Sequence, residues 1–142
     1  ETLILGGIKI PHTKGTVAHS DGDVLIHALC DALLGAANMR DIGYHFPDTD
    51  PDYKDRDSIF FLEQTKQLLK KNNFEFGNMD ATICFERPSL KEFIQDMQDK
   101  IAKTLNVSKN LISIKATTEE KMGFVGKEEG VAVNVVVLLY IS

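Results

Sequence analysis

The segment formed by residues 131–141 places the strongest constraint on how this chain can fold. It is apolar at nearly every position and rich in valine, which predicts a buried strand; a membrane span would need ~20 apolar residues. Because both faces of this strand are apolar, it needs cover on two sides. Helices can cover one face, and three such sheets packed around a common axis would cover the other, so we expect a closed homo-oligomer.

The periodicity of the remaining sequence predicts a single domain over residues 1–142. Strands are expected at residues 2–10, with Gly6-Gly7 allowing a bend or bulge, and at residues 79–86, 111–116 and 131–141. Helices are expected from a cap at Asp21 or Gly22 to about Ala37, and over residues 58–71 and 88–105. Residues 39–55 are too rich in Asp, Pro and Gly for regular structure. The order β-α-α-β-α-β-β is typical of an α+β two-layer sandwich, with helices on one face of a mixed β-sheet, and we expect it to assemble as a trimer around a central axis.

Charge and composition exclude two classes of partner. The chain has 142 residues and a net charge of −5, so we expect no nucleic-acid surface, and no apolar run is long enough for a membrane. A phosphorylated ligand stays open, because a bound metal can supply positive charge. Cys30 and Cys84 are too few for a disulfide framework or a cysteine-based zinc site, and as buried thiols they favour a reducing compartment.

Asp23, His27 and Asp31 are spaced four residues apart on the first predicted helix and therefore share one helix face. The residues between them are nearly all apolar, and buried carboxylates or imidazoles are costly unless something pairs with them. A bound cation is one such partner. The structural alternative makes Asp23 a first-turn acid favoured by the helix dipole, and His27 a core histidine with Asp31 as its hydrogen-bond partner.

Two loops carry further candidate chemistry. Residues 41–51 contain three acids and a histidine, which either shape turns or accept hydrogen bonds from the hydroxyls of a sugar or polyol. In residues 115–124, Thr117 and Thr118 could donate to phosphate oxygens, and a glutamate after them could ligate Mg²⁺. The same residues could instead cap a helix and place acids in its first turn.

Three motifs together resemble the 2-C-methyl-D-erythritol 2,4-cyclodiphosphate synthase family. They read H-S-D-G-D-x₃-H-A-x₂-D-A-L-L-G-A-A, D-I-G-x₂-F-P-D-T-D-P and K-A-T-T-x-E-K-x-G-F-x-G. The resemblance covers essentially the whole chain, including G-G-x-x-I-P near its start. Each motif alone is moderately specific, whereas their joint occurrence is highly specific.

The resemblance implies a phosphorus–oxygen lyase of the non-mevalonate isoprenoid pathway. Its substrate would be 4-diphosphocytidyl-2-C-methyl-D-erythritol 2-phosphate, whose 2-phosphate attacks the β-phosphorus and expels CMP as the cyclic diphosphate closes. Such a reaction needs two anionic groups brought together and a stabilised leaving phosphate, but no protein nucleophile. The resemblance also implies a homotrimer with active sites between subunits, and zinc together with magnesium or manganese as cofactors.

The resemblance assigns roles to individual residues. His27 corresponds to a zinc ligand, Asp31 to an acid that supports it, and Glu120 to the ligand of magnesium or manganese. His19, at the erythritol phosphate, and Thr118, at the diphosphate, are the expected catalytic residues. The other expected substrate contacts are Ser20, Asp41, Ile42, Gly43, Phe46, Pro47, Asp48, Thr49, Asp50, Phe85, Glu86, Arg87, Pro88, Ser89, Leu90, Lys91, Thr117, Phe124 and Lys127.

The sequence departs from the family pattern at several points. The family takes two zinc ligands from an Asp-x-His near its N-terminus, and that segment is apparently missing here; His12 is no substitute for it. Ser89 stands where the family usually has Lys, Glu119 replaces a Thr, and Lys127 replaces an Arg. A catalytic zinc site needs about three protein ligands, so we expect zinc to bind this chain weakly unless ligands come from elsewhere.

Two other functions compete with the cyclase. A metal-dependent phosphohydrolase would also use His and Asp on helices, but would release inorganic phosphate instead of CMP. An inactive trimeric nucleotide binder would have lost its chemistry along with the Asp-x-His. The resemblance implies a location in the bacterial cytoplasm or a plastid-type organelle (stroma or apicoplast), and no targeting segment is visible.

Overall fold

The computed structural model describes residues 2–11, 22–86, 89–118 and 130–142 as a mixed α+β fold, confirming the predicted fold class. The strands are β1 (Thr2–Leu5), β2 (Ile8–Pro11), β3 (Phe74–Cys84), β4 (Ile112–Thr117) and β5 (Ala132–Ile141). The helices are α1 (Val24–Ala36), α2 (Ile42–His45), α3 (Ser58–Lys71) and α4 (Ile94–Leu105), with 3₁₀ turns at Lys91–Phe93 and Lys109–Leu111.

The first predicted strand is instead a hairpin. β1 and β2 pair antiparallel around Gly6 and Gly7, with φ of +60° and +78°. Two consecutive residues with positive φ are what a type I′ hairpin turn requires, and glycine adopts them without strain. The prediction of one continuous strand over residues 2–10 was therefore wrong, because the Gly-Gly pair turns the chain instead of bending it.

Other observed element boundaries differ from the predicted ones by a few residues. The cap of α1 is Asp23 and not Asp21 or Gly22, because the Asp23 side chain accepts from the Ile26 N–H. β3 begins at Phe74, five residues before the predicted start, and α4 begins at Ile94 after a 3₁₀ turn. The polar segment predicted to be irregular contains α2, a single turn capped by Asp41.

The larger sheet has the order β4-β3-β5, with β4 parallel and β5 antiparallel to β3, so it is mixed as predicted. The register shifts at Gly77, where an added Cβ would lie 2.7 Å from the Leu138 carbonyl oxygen. The helices and this sheet enclose one apolar core, and α1 packs its buried side chains against it. Those side chains are Leu25, Ile26, Leu29, Cys30 and Leu33.

The two faces of β5 differ in exposure. Val133, Val135, Val137 and Leu139 pack against the core. The other face carries Val136, Leu138 and Tyr140, which are 71%, 49% and 57% exposed. The sheet thus has an apolar strip on the side away from the helices, where the sequence predicted that a second cover is needed.

None of the helices in residues 22–86 and 89–118 combines the length and the apolar character that crossing a bilayer requires.

Candidate active site

Two cavities collect most of the described residues that the sequence singled out. The α1–α3 cavity, of about 930 Å³, lies between the start of α1, the 42–48 loop and the segment leading into α3. The strand-end cavity, of about 340 Å³, lies where β3 and β4 end. Among the described residues, none lines both cavities.

His27 lies on the half-buried side of α1 and lines the α1–α3 cavity. Four other predicted contacts, Ile42, Gly43, Phe46 and Asp48, line the same cavity. The imidazole is thus presented to an open space, as a ligand of a substrate or metal must be. This arrangement disfavours the alternative of a histidine enclosed in the core.

Asp23 and Asp31, which lie four residues before and after His27, have different structural roles. Asp31 is exposed and its Oδ1 accepts from the Ile42 N–H at 2.8 Å, which ties α1 to the start of α2. Asp23 is 1% exposed and accepts from the N–H groups of Ile26, Gly6 and Gly7. Of these three residues, only His27 lines the cavity. The Asp23 carboxylate bonds the β1–β2 turn, and the Asp31 carboxylate bonds the start of α2.

The acidic loop combines turn chemistry with cavity lining. Asp41 Oδ1 accepts from the Tyr44 N–H at 2.9 Å, and Asp50 Oδ1 accepts from the Asp52 N–H at 2.9 Å. These are the turn-shaping roles of the alternative interpretation. Asp48 is exposed and lines the cavity, so its carboxylate remains accessible to hydroxyl groups. Pro47 and Thr49 flank it in the chain.

Phe46 is 8% exposed because it packs in an aromatic cluster. Its ring lies 5.3 Å from that of Tyr53 and 5.5 Å from that of Phe61, measured between centroids. Aromatic pairs at this spacing stabilise one another beyond the burial of their area. The cluster fixes the loop after α2 to the start of α3 and so forms one wall of the cavity.

Sequence reasoning missed the wall formed by residues 53–58. Tyr53, Lys54, Asp55, Arg56, Asp57 and Ser58 all line the α1–α3 cavity. Arg56 is held in place, because its Nε donates to the Asp52 carbonyl at 3.1 Å and its guanidinium carbon lies 4.3 Å from the Phe60 ring centroid. The sequence feature that could have predicted this wall is the pair Lys54 and Arg56, two cations of an acidic chain that follow the acidic loop.

The strand-end cavity contains the predicted nucleotide-holding residues. It is lined by Phe85, Glu86, Ser89, Leu90, Lys91, Ile94, Ala116, Thr117 and Thr118. The Phe85 N–H donates to the Thr117 carbonyl at 3.0 Å, so the two strand ends stay together beyond the sheet. Glu86 Oε2 is buried without a hydrogen-bond partner among the described residues.

Several predicted residues lie outside the described part of the chain. They are His19, Ser20, Arg87, Pro88, Glu120, Phe124 and Lys127. Glu119, the alternative to Glu120, lies outside it too.

Within the described residues, no three His, Cys, Asp or Glu side chains come together as a metal site. A catalytic zinc site needs about three protein ligands, so the described residues do not complete one around His27.

Burial changes the acidity of two groups on α1. Desolvation raises the pKa of Asp23, against the opposing effect of its backbone N–H bonds. Desolvation also raises the pKa of the Cys30 thiol to about 12, so this thiol stays protonated and unreactive at neutral pH.

Comparison with known proteins finds relatives over nearly the whole chain. The sequence profile of the YgbB family matches residues 1–140. A Parabacteroides distasonis protein named 2-C-methyl-D-erythritol 2,4-cyclodiphosphate synthase is 57% identical over 137 residues, which are 96% of this chain and 85% of that protein.

Solved structures show the same fold. The bifunctional IspDF from Campylobacter jejuni is 45% identical with a TM-score of 0.91, over 99% of this chain and 38% of that one. A Plasmodium falciparum IspF in complex with CDP is 31% identical with a TM-score of 0.83, over 99% of this chain and 85% of that one. The chain therefore belongs to the YgbB family of 2-C-methyl-D-erythritol 2,4-cyclodiphosphate synthases, as its three motifs predicted.

Proposed function

We infer that this protein is a phosphorus–oxygen lyase of isoprenoid biosynthesis. It cyclises 4-diphosphocytidyl-2-C-methyl-D-erythritol 2-phosphate to the 2,4-cyclodiphosphate and releases CMP. The observation that carries this function is the 57% identity, over nearly the whole chain, to a relative that bears the enzyme's name. The two cavities add a physical reason, because a substrate with a nucleotide at one end and a polyol phosphate at the other needs two different binding surfaces.

The nucleotide end belongs, in this proposal, to the strand-end cavity. A structural relative is a complex with CDP, and the 340 Å³ cavity here has a half-buried floor with exposed threonines at its edge. Main-chain groups of residues 85–91 would hold cytosine. Thr117 and Thr118 would donate to the diphosphate oxygens, which is the catalytic role of Thr118.

The polyol phosphate belongs to the α1–α3 cavity. Asp48 would accept hydrogen bonds from erythritol hydroxyls, and Asp41, Ile42 and Gly43 would contact the ribose where the substrate passes from one cavity to the other. His19 and Ser20 would contact the 2-phosphate. Holding this phosphate in line with the β-phosphorus converts an encounter of two anions into an intramolecular step: an oxygen–phosphorus bond forms, the bond to the CMP oxygen breaks, and CMP leaves.

The enzyme uses divalent metal ions, which polarise phosphoryl oxygens when bound. We propose zinc at His27 and magnesium or manganese at Glu120. Glu120→Gln should remove most activity, whereas Glu119→Gln should be mild, because only Glu120 matches the family position before Lys-Met-Gly-Phe. Equal losses in both variants would show that the ligand is misassigned.

The proposed active unit is a homotrimer in which each site is shared by two subunits. Its support is twofold: the sheet face bearing Val136, Leu138 and Tyr140 is exposed in one chain, and the two cavities share none of the residues that the structure describes. Sedimentation should give the mass of three chains, and activity should fall on dilution below the range in which the trimer dissociates. A fully active monomer would contradict this arrangement.

The function is tested by adding the substrate and separating the products. CMP should appear in equal amount to a cyclic diphosphate identified by ³¹P NMR. Release of inorganic phosphate without a cyclic product would identify the phosphohydrolase instead. Binding of CDP with neither product would identify a nucleotide binder.

A further inference from the structure

Asp23 is bonded more extensively than a helix cap requires. Its Oδ1 accepts from the Ile26 N–H at 3.0 Å, which is the capping bond. Oδ1 also accepts from the Gly6 N–H at 2.9 Å, and Oδ2 accepts from the Gly7 N–H at 2.6 Å. The caps of α2 and α3, Asp41 and Asp57, are both exposed, whereas Asp23 is 1% exposed.

The hairpin turn forms a small anion-binding concavity that this carboxylate fills. Successive backbone N–H groups in a turn with positive φ point to one side and attract a negative charge. Gly6 has no room for a side chain, because an added Cβ would lie 2.9 Å from Met97 atoms. Burying a carboxylate is costly, and here three backbone N–H groups offset that cost. The β1–β2 hairpin is therefore fastened to the first residue before α1.

The same carboxylate reaches the other wall of the α1–α3 cavity. Ser58 Oγ lies 3.5 Å from Asp23 Oδ2, and Ser58 is the first residue of α3. Val24 and His27 on α1, and Ser58 on α3, all line the cavity, whereas Asp23 itself is not among the lining residues. One buried side chain thus joins the hairpin and the starts of the two helices that face each other across the proposed polyol-phosphate site.

We propose that Asp23 is a positioning residue for the reaction: it sets the separation of α1 and α3, and thereby the placement of His27, without touching the substrate. This role rests on the proposed function of the cavity. Because a misplacement of about 1 Å can cost about 100-fold in rate, the effect of losing this link should appear in kcat. Binding of the nucleotide in the strand-end cavity should not change, since the residues bonded to Asp23, namely Gly6, Gly7, Ile26 and Ser58, do not line that cavity.

Two variants separate positioning from simple capping. Asp23→Ser keeps a good cap for α1, but its hydroxyl is too short to reach the hairpin turn as well. Asp23→Asn keeps the shape and an oxygen for Gly6 and Ile26, but turns its amide N–H₂ toward the Gly7 N–H. Leu105 is a buried residue of α4 that lines neither cavity. Leu105→Ala is therefore the control for a general loss of stability.

We expect kcat to fall about 10- to 100-fold in Asp23→Ser and less in Asp23→Asn, with CDP affinity by calorimetry unchanged in both. Hydrogen exchange should become faster at residues 24–27 and 58–62 in Asp23→Ser, but not selectively there in Leu105→Ala. A kcat in Asp23→Ser equal to that of the control, or a parallel loss of CDP affinity, would overturn the proposal. A wild-type protein that releases no CMP would instead overturn the proposed function, and the exchange pattern would still decide the role of Asp23.

Discussion

The two cavities are built by opposite means. The strand-end cavity is small, and it is lined by the segment that follows β3, the start of α4 and the end of β4, with the Phe85 N–H donating to the Thr117 carbonyl. The α1–α3 cavity is larger, and charged side chains from a loop line it: Asp48, Lys54, Asp55, Arg56 and Asp57. Main-chain groups of a segment that is bonded to a strand end suit recognition of a flat base. Charged side chains on loops adapt to an anionic polyol and to metal ions.

This difference indicates that recognition of the nucleotide and the chemical step can be located in separate parts of one small domain. A variant in one cavity should impair one function and spare the other. Because no residue in the described part of the chain lines both cavities, we expect the two functions to be joined by a substrate that spans the cavities or by a neighbouring subunit. Each of the following predictions tests this division.

The largest effect is expected for His27→Ala. Loss of the proposed zinc ligand should lower turnover by about 1,000-fold or more, the scale of several kcal/mol of charge stabilisation. Elemental analysis should show loss of zinc, while circular dichroism and CDP binding stay as in the wild type. His45→Gln is a matched control, because the His45 Nε2 contacts the Met39 carbonyl at 2.6 Å and not the α1–α3 cavity. Full zinc content in His27→Ala would end the assignment.

The next effect is a recovery of activity. His27→Ala and Thr118→Ala affect different cavities. If each active site combines one cavity from each of two subunits, trimers that contain both inactive variants will include some intact sites. Random trimers should regain about a quarter of wild-type activity after unfolding and refolding together. The variants refolded separately and then mixed serve as the control. No recovery would show that one subunit supplies both cavities to a site.

A smaller effect is expected for the choice of base in the strand-end cavity. Main-chain donors and acceptors arranged for the amine and ring nitrogen of cytosine would be left unpaired by uracil, which costs about 1–3 kcal/mol, or roughly 10- to 100-fold in affinity. Calorimetry with CDP and UDP measures this ratio. The same ratio should be found in His27→Ala if the cavities act separately, and equal affinities would refute main-chain recognition of the base.

Replacement of Asp31 by alanine should lower activity only about 10-fold. Asp31→Ala removes the bond to the Ile42 N–H and should loosen the loop that carries Asp48, whereas Asp31→Asn keeps an accepting oxygen and should be nearly silent. Zinc content distinguishes the two roles considered for this residue. It should stay constant if Asp31 holds the loop, and it should fall with activity if Asp31 supports His27.

The sequence predicted the class of fold and the family because both depend on strong local signals. The apolar β5 and the amphipathic α3, found at the predicted residues 58–71, are such signals. It failed at Gly6-Gly7, where a strand with a bend and a hairpin have the same apolar pattern and only the φ angles distinguish them. It failed also at Asp23, because the carboxylate's two extra donors are 16 and 17 residues away in the chain. The separation of the site into two cavities depends on tertiary packing and left no local pattern.

The smallest effect concerns the sheet face through which copies would pack. On that face the Lys115 Nζ lies 2.6 Å from Asp80 Oδ2, and Ser113 Oγ donates to Asp80 Oδ1 at 2.8 Å. The hydrogen bonds from Lys115 and Ser113 lower the pKa of Asp80. A carboxyl whose pKa is lower in the folded state contributes stability above its unfolded pKa, ~3.9, and loses it as the pH falls through the folded value.

Asp80→Asn should therefore lower the thermal midpoint by no more than ~2 °C at pH 7, and the difference from wild type should vanish in acid. In an isolated chain both side chains of the pair are exposed to solvent, so about 1 M salt, with a screening length of roughly 3 Å, should abolish the difference even at pH 7. If the face is covered by neighbouring subunits, the ions are screened much less, and the difference should persist in salt. Lys109→Ala, which breaks an exposed pair with Asp99 at 3.1 Å, provides the salt-sensitive control. An Asp80 effect that disappears in salt as readily as that of Lys109 would place the face in solvent and remove one of the two supports for a site shared between subunits.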